Sequence, residues 1–186
     1  MARKKMFDDN DVIEKATALF WQRGYENTSM SQLESAMGIN KFSIYASFES
    51  KQGVFVQSLK CYRNKLSPII LKLKNSDQGI NDIKQYFYDC LALYNDAVGS
   101  RGCLMTNTRA QISREQHPII FKEIDDFVDY QKQLFIEKLL SEGNDSQTAI
   151  KKSNYLIIAK QALSSASKMH SDVEINDFID MTFSTV

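Results

Sequence analysis

The chain has 186 residues, of which 43% are hydrophobic, and its 23 lysines and arginines balance its 23 aspartates and glutamates. With only 7 glycines and 2 prolines, it holds too few turn residues for a β-sandwich or barrel, which needs a turn about every 8–12 residues. Three cysteines do not make a disulfide framework. No apolar run reaches the roughly 18 residues that a membrane span needs, and residues 1–5 lead into no apolar segment of a secretory signal. We therefore expect a mostly helical, soluble, cytoplasmic protein without membrane contact.

The charge is distributed with a mild asymmetry. Residues 1–63 carry 9 basic and 7 acidic side chains, whereas residues 64–186 carry 14 and 16. A nucleic-acid-binding segment is often basic, and this excess is small. The charge alone is therefore typical of a solvated surface, and any prediction of DNA binding depends on helix spacing and particular residues.

Apolar residues recur at helical spacing along nearly the whole chain. The first predicted helix has its apolar stripe on Val12, Ala16 and Phe20 and ends at Gly24, where a residue with positive φ is easily accommodated. One of the three residues Asp9, Asn10 and Asp11 is expected to cap its start.

Two short helices and a long one are predicted next. Ser29 and Gln32 have the spacing of a capping box, and the helix that they begin stops at Gly38. Asn40 is expected to cap a third helix over residues 41–48, and Ser50 a fourth, long one. Pro68 lies inside this fourth helix, so a kink or an early end is expected there.

The remainder of the chain predicts five more helices, about nine in all. The fifth runs from Ile80 to Val98, and a short sixth runs from Leu104 to about Ser113. Pro118 suits the first position of the seventh, which ends near Gly143. The eighth spans about residues 146–169, and a short ninth follows.

The second and third predicted helices have the layout of a helix-turn-helix. Gly38 supplies the positive φ that lets the two helices meet at a steep angle. The apolar side chains that pack the pair against the first helix are Leu33, Met37, Ile39, Ile44 and Phe48. The side chains left to project from the third helix are Lys41, Phe42, Ser43, Tyr45, Ala46 and Ser47, which can reach phosphates or base edges. A simple corner between two helices has the same spacing, and spacing alone does not choose between these interpretations.

A longer pattern resembles the N-terminal domain of the TetR/AcrR family of bacterial transcriptional repressors. The pattern covers roughly residues 9–55 and consists, in order, of Phe20, Gly24, Tyr25, Thr28, Ser29, Met30, Leu33, Gly38, Ile39, Ile44, Tyr45, Phe48, Ser50 and Lys51. The resemblance implies an all-α homodimer with a three-helix DNA-binding domain at residues 1–50. It implies a helical ligand-binding and dimerisation domain at residues 51–186.

The resemblance also implies a function and a set of DNA contacts. The chain is expected to bind a palindromic double-stranded operator and to release it when a small-molecule inducer acts through the fourth helix. Residues 41–48 become the recognition helix, Tyr45 and Lys51 hold phosphates, and Ser29 and Ser31 touch phosphates from the second helix. The full DNA-binding set is Ser29, Ser31, Asn40, Lys41, Phe42, Ser43, Tyr45, Ser47 and Lys51.

The chain departs from the family pattern at two places on the predicted DNA-binding surface. Glu34 stands where the family usually has alanine, and its negative charge is expected to repel DNA if it faces outward. Ala46 and Ser47 replace a pair that is often aromatic or histidine. The base contacts of the family are therefore not carried over to these two positions.

Two further residue sets follow from the expected regulatory domain. Cavity candidates on helices four to seven, which suit an apolar or aromatic inducer, are Tyr62, Leu66, Phe87, Tyr94, Cys103, Met105, Asn107, Phe121 and Phe127, although a core role is the simpler interpretation of any single one. The dimer interface is expected on helices eight and nine, at Ala159, Ala162, Leu163, Ala166 and Phe178. Internal packing within one subunit is the alternative for this second set.

Two alternatives to an inducer-controlled repressor remain open. Cys103 follows Arg101 near a helix start, which favours a redox-active or electrophile-sensing thiol, whereas a small buried core residue is the simpler interpretation. A helical adaptor that binds only protein has the same composition. An enzyme is not expected, because no phosphate loop or nucleophile motif occurs. His117 and His170 are isolated from the cysteines, so neither a metal site nor a cofactor is predicted.

Overall fold

The computed structural model describes residues 7–96 and 99–186. Over these residues the chain forms nine α-helices and one short antiparallel ladder, which confirms the expected all-α fold. The helices are α1 (Asp9–Arg23), α2 (Met30–Met37), α3 (Lys41–Phe48), α4 (Lys51–Asn75), α5 (Ile80–Tyr94), α6 (Leu104–Gln111), α7 (Pro118–Ser141), α8 (Ser146–Ala166) and α9 (Asp172–Ser184). The ladder pairs β1 (Asn95–Asp96) with β2 (Gly99–Ser100). The basic N-terminal residues 1–5 and the predicted helix end at Val98 lie outside the described residues.

Helix starts agree with the predicted caps except at α1. The side chain of Asp8, rather than of Asp9, Asn10 or Asp11, caps α1 by accepting a hydrogen bond from the Asn10 N–H. The nearest predicted cap, Asp9, is instead the first residue of α1. The prediction was wrong because the helix begins further ahead of its first apolar residue, Val12, than the hydrophobic pattern indicated. At α4, the Ser50 hydroxyl accepts from the Gly53 N–H at 3.0 Å, as expected of its cap.

Pro68 does not end α4, which continues to Asn75. A proline inside a helix removes the hydrogen bond to the carbonyl four residues earlier, which here belongs to Asn64. Both Pro68 and Asn64 are exposed, so water can satisfy the freed carbonyl. The expectation of an early end was therefore wrong.

Two predicted helices end earlier than the hydrophobic pattern suggested. Helix α5 stops at Tyr94, whose carbonyl accepts from the Arg101 N–H at 2.9 Å as the chain enters the ladder. Helix α8 stops at Ala166, whose carbonyl accepts from the N–H groups of Met169 and His170 in a tight turn. In both places non-local or turn hydrogen bonds replace the next helical ones.

The chain divides into two compact units. The first runs to Lys65 and includes Asn107–Ile124, and the second consists of Leu66–Thr106 and Asp125–Val186. In the first unit, Phe20 meets Phe55 edge-on at 4.7 Å between ring centroids, and Trp21 meets Tyr62 in the same way at 5.1 Å. These contacts pack α1 against the first half of α4.

The second unit has a core of aromatic and aliphatic side chains from α5, α7, α8 and α9. Tyr86 and Phe135 pack edge-to-face at 5.7 Å, and Phe87 meets Phe183 at 5.0 Å. Its one buried ion pair among the described residues joins Lys138 Nζ to Asp82 Oδ2 at 3.1 Å. None of the described helices combines the length and hydropathy that crossing a bilayer would demand.

The buried ion pair predicts a pH-dependent stability. Burial by itself raises the pKa of the Asp82 carboxyl, but hydrogen bonds from Ser76, Lys138 and the Gln78 N–H outweigh burial, so the pKa lies below its usual value. A carboxyl with a lowered folded-state pKa contributes stability above its unfolded-state pKa and loses it as the pH falls through the folded-state value.

We therefore expect Asp82→Asn to lower the free energy of unfolding by about 2 kcal/mol at pH 7, the scale of a hydrogen bond to a charged group. The loss relative to wild type should shrink when urea unfolding is repeated at pH 3. The exposed Asp177→Asn serves as control and should change little at either pH. An equal loss at both pH values for Asp82→Asn would contradict the assignment.

Candidate nucleic-acid interface

Several N–H groups at the starts of the two short helices α2 and α3 donate to nearby side-chain acceptors. Ser29 and Gln32 form a reciprocal capping box at the start of α2. Asn40 Oδ1 accepts from the Ser43 N–H at 2.8 Å at the start of α3. Gly38 ends α2 in the left-handed conformation, with φ 69° and ψ 22°, and so lets the chain reverse direction in three residues.

One face of the α2–α3 pair is anchored in the first unit. Leu33, Met37 and Ile44 are fully buried, and Phe48 is buried at the end of α3. Because these side chains lie on the inner faces of both helices, the opposite face of α3 is turned outward. The predicted packing of the helix-turn-helix is present.

The outward face of α3 carries an apolar ring, a phenol and an ammonium. Phe42 is 83% exposed and Tyr45 is 42% exposed, while the Lys41 ammonium lies 5.7 Å from the centre of the Tyr45 ring. Ala46 is exposed and small, and Ser43 and Ser47 are half-buried. This surface combines hydrogen-bond donors with a ring that water surrounds, on a helix of the width that fits a major groove.

The remaining residues of the predicted DNA-binding set are distributed around the ends of these helices. Ser29 and Asn40 are exposed, and each uses a side-chain oxygen as a helix cap. Ser31 is exposed on the first turn of α2. The caps thus fix the orientation of two residues that the sequence placed at phosphates.

Glu34 turns toward α3 and meets its first peptide group. Its Oε1 accepts a hydrogen bond from the Lys41 N–H, at the end of α3 where free N–H groups give a partial positive charge. Its negative charge is therefore engaged by the helix end. This contact was not predicted, although acceptor and donor are separated by only seven residues and the turn between them was predicted.

The connection from α3 to α4 passes through a residue with an unusual backbone. Glu49 has φ 67° and ψ −41°, a conformation that costs a non-glycine residue about 1–3 kcal/mol. Its N–H donates to the Tyr45 carbonyl, and the next N–H, of Ser50, donates to the Phe48 carbonyl at 2.7 Å. These two bonds hold α3 at a fixed angle to the start of α4.

Lys51 lies at the first position of α4 and packs on an aromatic ring. Its ammonium lies 4.5 Å from the centre of the Tyr25 ring and 3.5 Å from the Glu26 carbonyl oxygen. Burial lowers the pKa of the Lys51 ammonium from its usual value, while the Glu26 carboxylate acts in the opposite direction. The ammonium is thus held beside the helix start, where an anion is also favoured.

His117 contacts Tyr25 and Glu26, the two residues that also hold the Lys51 ammonium. These contacts were not predicted from the sequence. Its Nε2 lies 3.1 Å from Glu26 Oε1, and its ring meets the Tyr25 ring edge-on at 5.0 Å. The histidine precedes α7, and the sequence pattern gave it no partner. Because Glu26 and His117 are 91 residues apart, no local pattern could have paired them.

The cavity candidates are mostly buried and divide between the two units. Tyr62, Asn107 and Phe121 belong to the first unit, and Asn107 is half-buried. The six in the second unit, all buried, are Leu66, Phe87, Tyr94, Cys103, Met105 and Phe127. The structure thus does not bring the nine together within one unit.

The predicted dimer residues lie on both the buried and the exposed face of α8 and, for Phe178, on α9. Ala159 and Leu163 are buried within their own unit, Ala162 is exposed, and Ala166 and Phe178 are half-buried. Large apolar side chains of α8, of α9 and of the turn between them are also exposed. They are Tyr155, Ile158, Met169, Val173 and Met181, and all but Tyr155 are 65% exposed or more.

The three cysteines are free thiols with little access to solvent. Cys90 and Cys103 are buried and Cys61 is half-buried. Burial raises the pKa of the Cys90 thiol to about 11, although the nearby Lys160 charge acts in the opposite direction. The Cys103 N–H donates to the Ser164 hydroxyl at 2.7 Å. Across residues 7–96 and 99–186, no three histidine, cysteine or acidic side chains are grouped so as to hold a metal ion.

Comparison with known proteins gives matches to bacterial transcriptional regulators. Residues 12–57 match the family model described as bacterial regulatory proteins, tetR family. The HTH-type transcriptional repressor ComR of Escherichia coli (strain K12) is 30% identical over 122 residues, which cover 63% of this chain and 57% of ComR. The negative transcriptional regulator IcaR of the Staphylococcus aureus (strain Newman) biofilm operon icaADBC is 32% identical over 79 residues, 42% of each protein. The chain thus spans about half the length of the curated relatives that it matches.

A solved structure extends the likeness to the whole fold. A cysteine mutant of the TetR family transcriptional regulator CifR, complexed with 26-base-pair double-strand operator DNA, has a TM-score of 0.85 to this chain. The match covers 98% of both chains at 21% sequence identity, so it concerns the fold alone. Residues 12–57 thus match the tetR family of bacterial regulatory proteins in sequence, and the chain as a whole shares the helical fold of a solved TetR family regulator.

Proposed function

We propose that the chain is a transcriptional repressor that binds a palindromic operator as a homodimer, with α3 in the major groove. The observation that carries the proposal is the division of α3 into two faces. Ile44 and Phe48 hold it in the core, while Phe42 is 83% exposed beside Lys41 and Tyr45. An exposed phenylalanine suits contact with a thymine methyl group. The printed descriptions of ComR and IcaR as repressors, and of CifR bound to operator DNA, support this function.

Phosphate contacts on both sides of α3 fix its position in the groove. Tyr45 and Lys41 lie on α3 itself, Ser29 and Ser31 lie at the start of α2, and Lys51 begins α4. Contacts of this kind set register and supply most of the salt-dependent affinity. We assign the DNA-binding domain to residues 1–50 and the regulatory domain to residues 51–186.

Dimerisation is assigned to the uncovered apolar surface of α8 and α9. Tyr155, Ile158 and Ala162 are spaced along α8 so that they share one side, and Val173 begins α9 beyond the turn at Met169. Two copies of such a surface can pair about a two-fold axis and form a four-helix interface. The symmetry of this pairing matches the symmetry of a palindromic operator.

Release from the operator is assigned to an inducer that acts through α4. This helix begins at Lys51, beside the DNA-binding surface, and its residues from Leu66 onward belong to the second unit. A ligand that binds better to a state with a different separation of the two recognition helices shifts the population toward that state. The affinity for a palindrome with fixed half-site spacing then falls.

A thiol sensor at Cys103 is the alternative mode of regulation. Cys103 is only 3% exposed, and its N–H group is engaged by Ser164, which favours a packing role over a reactive thiol. A protein-binding adaptor without DNA binding is a further alternative. A mobility-shift assay on the DNA upstream of the gene distinguishes it, because phosphate-anchored binding weakens steeply with salt.

The assignment of α3 predicts a specific pattern of DNA-binding loss. Lys41→Ala and Tyr45→Ala should each weaken operator binding by about tenfold, on the scale of 1–3 kcal/mol for a lost DNA contact. For Lys41→Ala, the slope of log affinity against log salt should fall by about two, one phosphate contact for each protomer. Mobility shift measures the affinity, and sedimentation should find the dimer unchanged. Lys74→Ala, an exposed lysine at the end of α4, is the matched control, and wild-type affinity in both test variants would reject the recognition helix.

The assignment of α8 predicts that a charge in the apolar surface separates the subunits. Ile158→Lys places an ammonium at a side chain that is 65% exposed in one chain, so the monomer should fold normally while the dimer is lost. Sedimentation equilibrium should give the monomer mass, and operator affinity should fall at least about a hundredfold because each half-site then binds alone. Leu71→Lys, an exposed leucine on α4, is the control. An intact Ile158→Lys dimer would disprove this interface.

The packing role of Cys103 predicts that its thiol is dispensable for regulation. Cys103→Ser should respond to the inducer as wild type does, and hydrogen peroxide should not release operator DNA from either protein in a mobility-shift assay. Oxidant-triggered release that is present in wild type and absent in the serine variant would establish the sensor instead.

A further inference from the structure

One lysine is buried inside the second unit without a carboxylate beside it. Lys160 lies in the middle of α8 on the side that faces the core, and it is 7% exposed. Its ammonium donates a hydrogen bond to Gln131 Oε1 at 3.0 Å and lies 5.8 Å from the centre of the Tyr86 ring. Within the described residues it forms no ion pair with an aspartate or glutamate.

The contrast with the other buried lysine is direct. Lys138, whose side chain is 10% exposed, has the Asp82 carboxylate 3.1 Å away and so is neutralised. Lys160 has only the neutral amide oxygen of Gln131 and the face of a ring. Burying a charge is costly unless it is paired, and the face of a ring 5.8 Å away is a weaker partner for an ammonium than a carboxylate in contact with it. The unit therefore keeps a positive charge in its core that its own side chains balance only in part.

The residues around this charge do not supply an anion of their own. Gln131 is 1% exposed, and its Nε2 donates to the Tyr86 hydroxyl at 2.6 Å, so the amide is held with its oxygen toward Lys160. Burial raises the pKa of the Cys90 thiol to about 11, which keeps this neighbour of Lys160 protonated at neutral pH. Tyr86 and Phe135 form an aromatic wall on the α5–α7 side.

We propose that Lys160 is the anion-recognition residue of the ligand site in the second unit, and that the ligand is an aromatic or apolar organic acid. Its carboxylate or sulfonate takes the place of the Gln131 amide oxygen at the Lys160 ammonium, and its apolar body packs on the Tyr86 and Phe135 rings. A charged acceptor binds an ammonium more strongly than a neutral amide does. The identification of this acid as the inducer rests on the proposed repressor function, whereas its binding does not.

The site also explains how binding can change the unit. Tyr86 lies on α5, Gln131 on α7 and Lys160 on α8, so the acid enters a hydrogen-bond chain that connects three helices. Displacing Gln131 from Lys160 breaks the link between α7 and α8 and leaves the Tyr86 bond free to rearrange. The two states of the site thus differ in their affinity for the acid, which is the condition for a ligand to shift a conformational equilibrium.

The test uses two fluorescent probes that differ by one acidic group. 1-Anilinonaphthalene-8-sulfonate is anionic, and N-phenyl-1-naphthylamine has the same ring system without the sulfonate. The full-length wild-type protein should bind the sulfonate at least tenfold more tightly than the neutral probe in a fluorescence titration. Lys160→Met should lose that tenfold preference and bind the neutral probe as wild type does. Lys151→Met, an exposed lysine on the same helix, should keep the preference.

A second variant supplies the missing anion from within the chain. Gln131→Glu places a carboxylate at the Lys160 ammonium, so it should raise the melting temperature and abolish the preference for the sulfonate while still binding the neutral probe. A lysine that served only as a structural hydrogen-bond donor to Gln131 would predict otherwise. In that case Lys160→Met would be destabilised and the probe preference would be unaffected.

The outcomes separate this proposal from the repressor function. Equal affinity of wild type for the two probes, or an unchanged preference in either Lys160→Met or Gln131→Glu, overturns the anion site. If Lys160→Met does not fold, the Gln131→Glu titration decides. The titrations contain no DNA, so a wild-type protein that fails to bind any operator disproves the repressor function without altering the probe result. If DNA is bound, the sulfonate should release it from wild type and not from Lys160→Met.

Discussion

The start of α3 is the point on which the DNA-binding half of the molecule depends. A helix of eight residues leaves about half of its N–H groups without an intrahelical partner, and such a short helix is not stable by itself. Asn40 and Glu34 accept hydrogen bonds from two of those groups, and Ile44 and Phe48 bury its inner face. With its end satisfied and one face fixed, α3 can carry an exposed phenylalanine without losing its shape.

The chain reverses direction at both ends of α3, and it uses a different kind of residue at each. Gly38 reverses the chain at no steric cost, whereas Glu49 makes the next reversal with a positive φ that costs a non-glycine residue free energy. The strained residue lies between α3 and α4. Hydrogen bonds and packing therefore hold the angle between these two helices, although the backbone preference of Glu49 opposes it.

How far the sequence could predict this structure follows from the range of the interactions. Ser29, Asn40 and Gly38 act on neighbours within four residues, so their roles at the helix ends were predicted and found. The end of α5 at Tyr94 depends on a bond to Arg101 beyond a turn, and the pairing of His117 with Glu26 spans 91 residues. Lys160 was missed because a lysine on a helix is usually solvated, and only the packing of α5 and α7 reveals that this one is enclosed. The DNA, ligand and dimer contacts of the chosen residues remain predictions, since each requires a second molecule.

The edge-on contact between Trp21 and Tyr62 has a practical consequence. The chain contains a single tryptophan, and its indole lies 5.1 Å from a ring on α4, the helix that is proposed to transmit the inducer's effect. Any displacement of α4 relative to α1 alters the surroundings of that one chromophore. The molecule thus contains an intrinsic optical reporter, whose emission can follow the motion of α4 in solution without a dye or an engineered label.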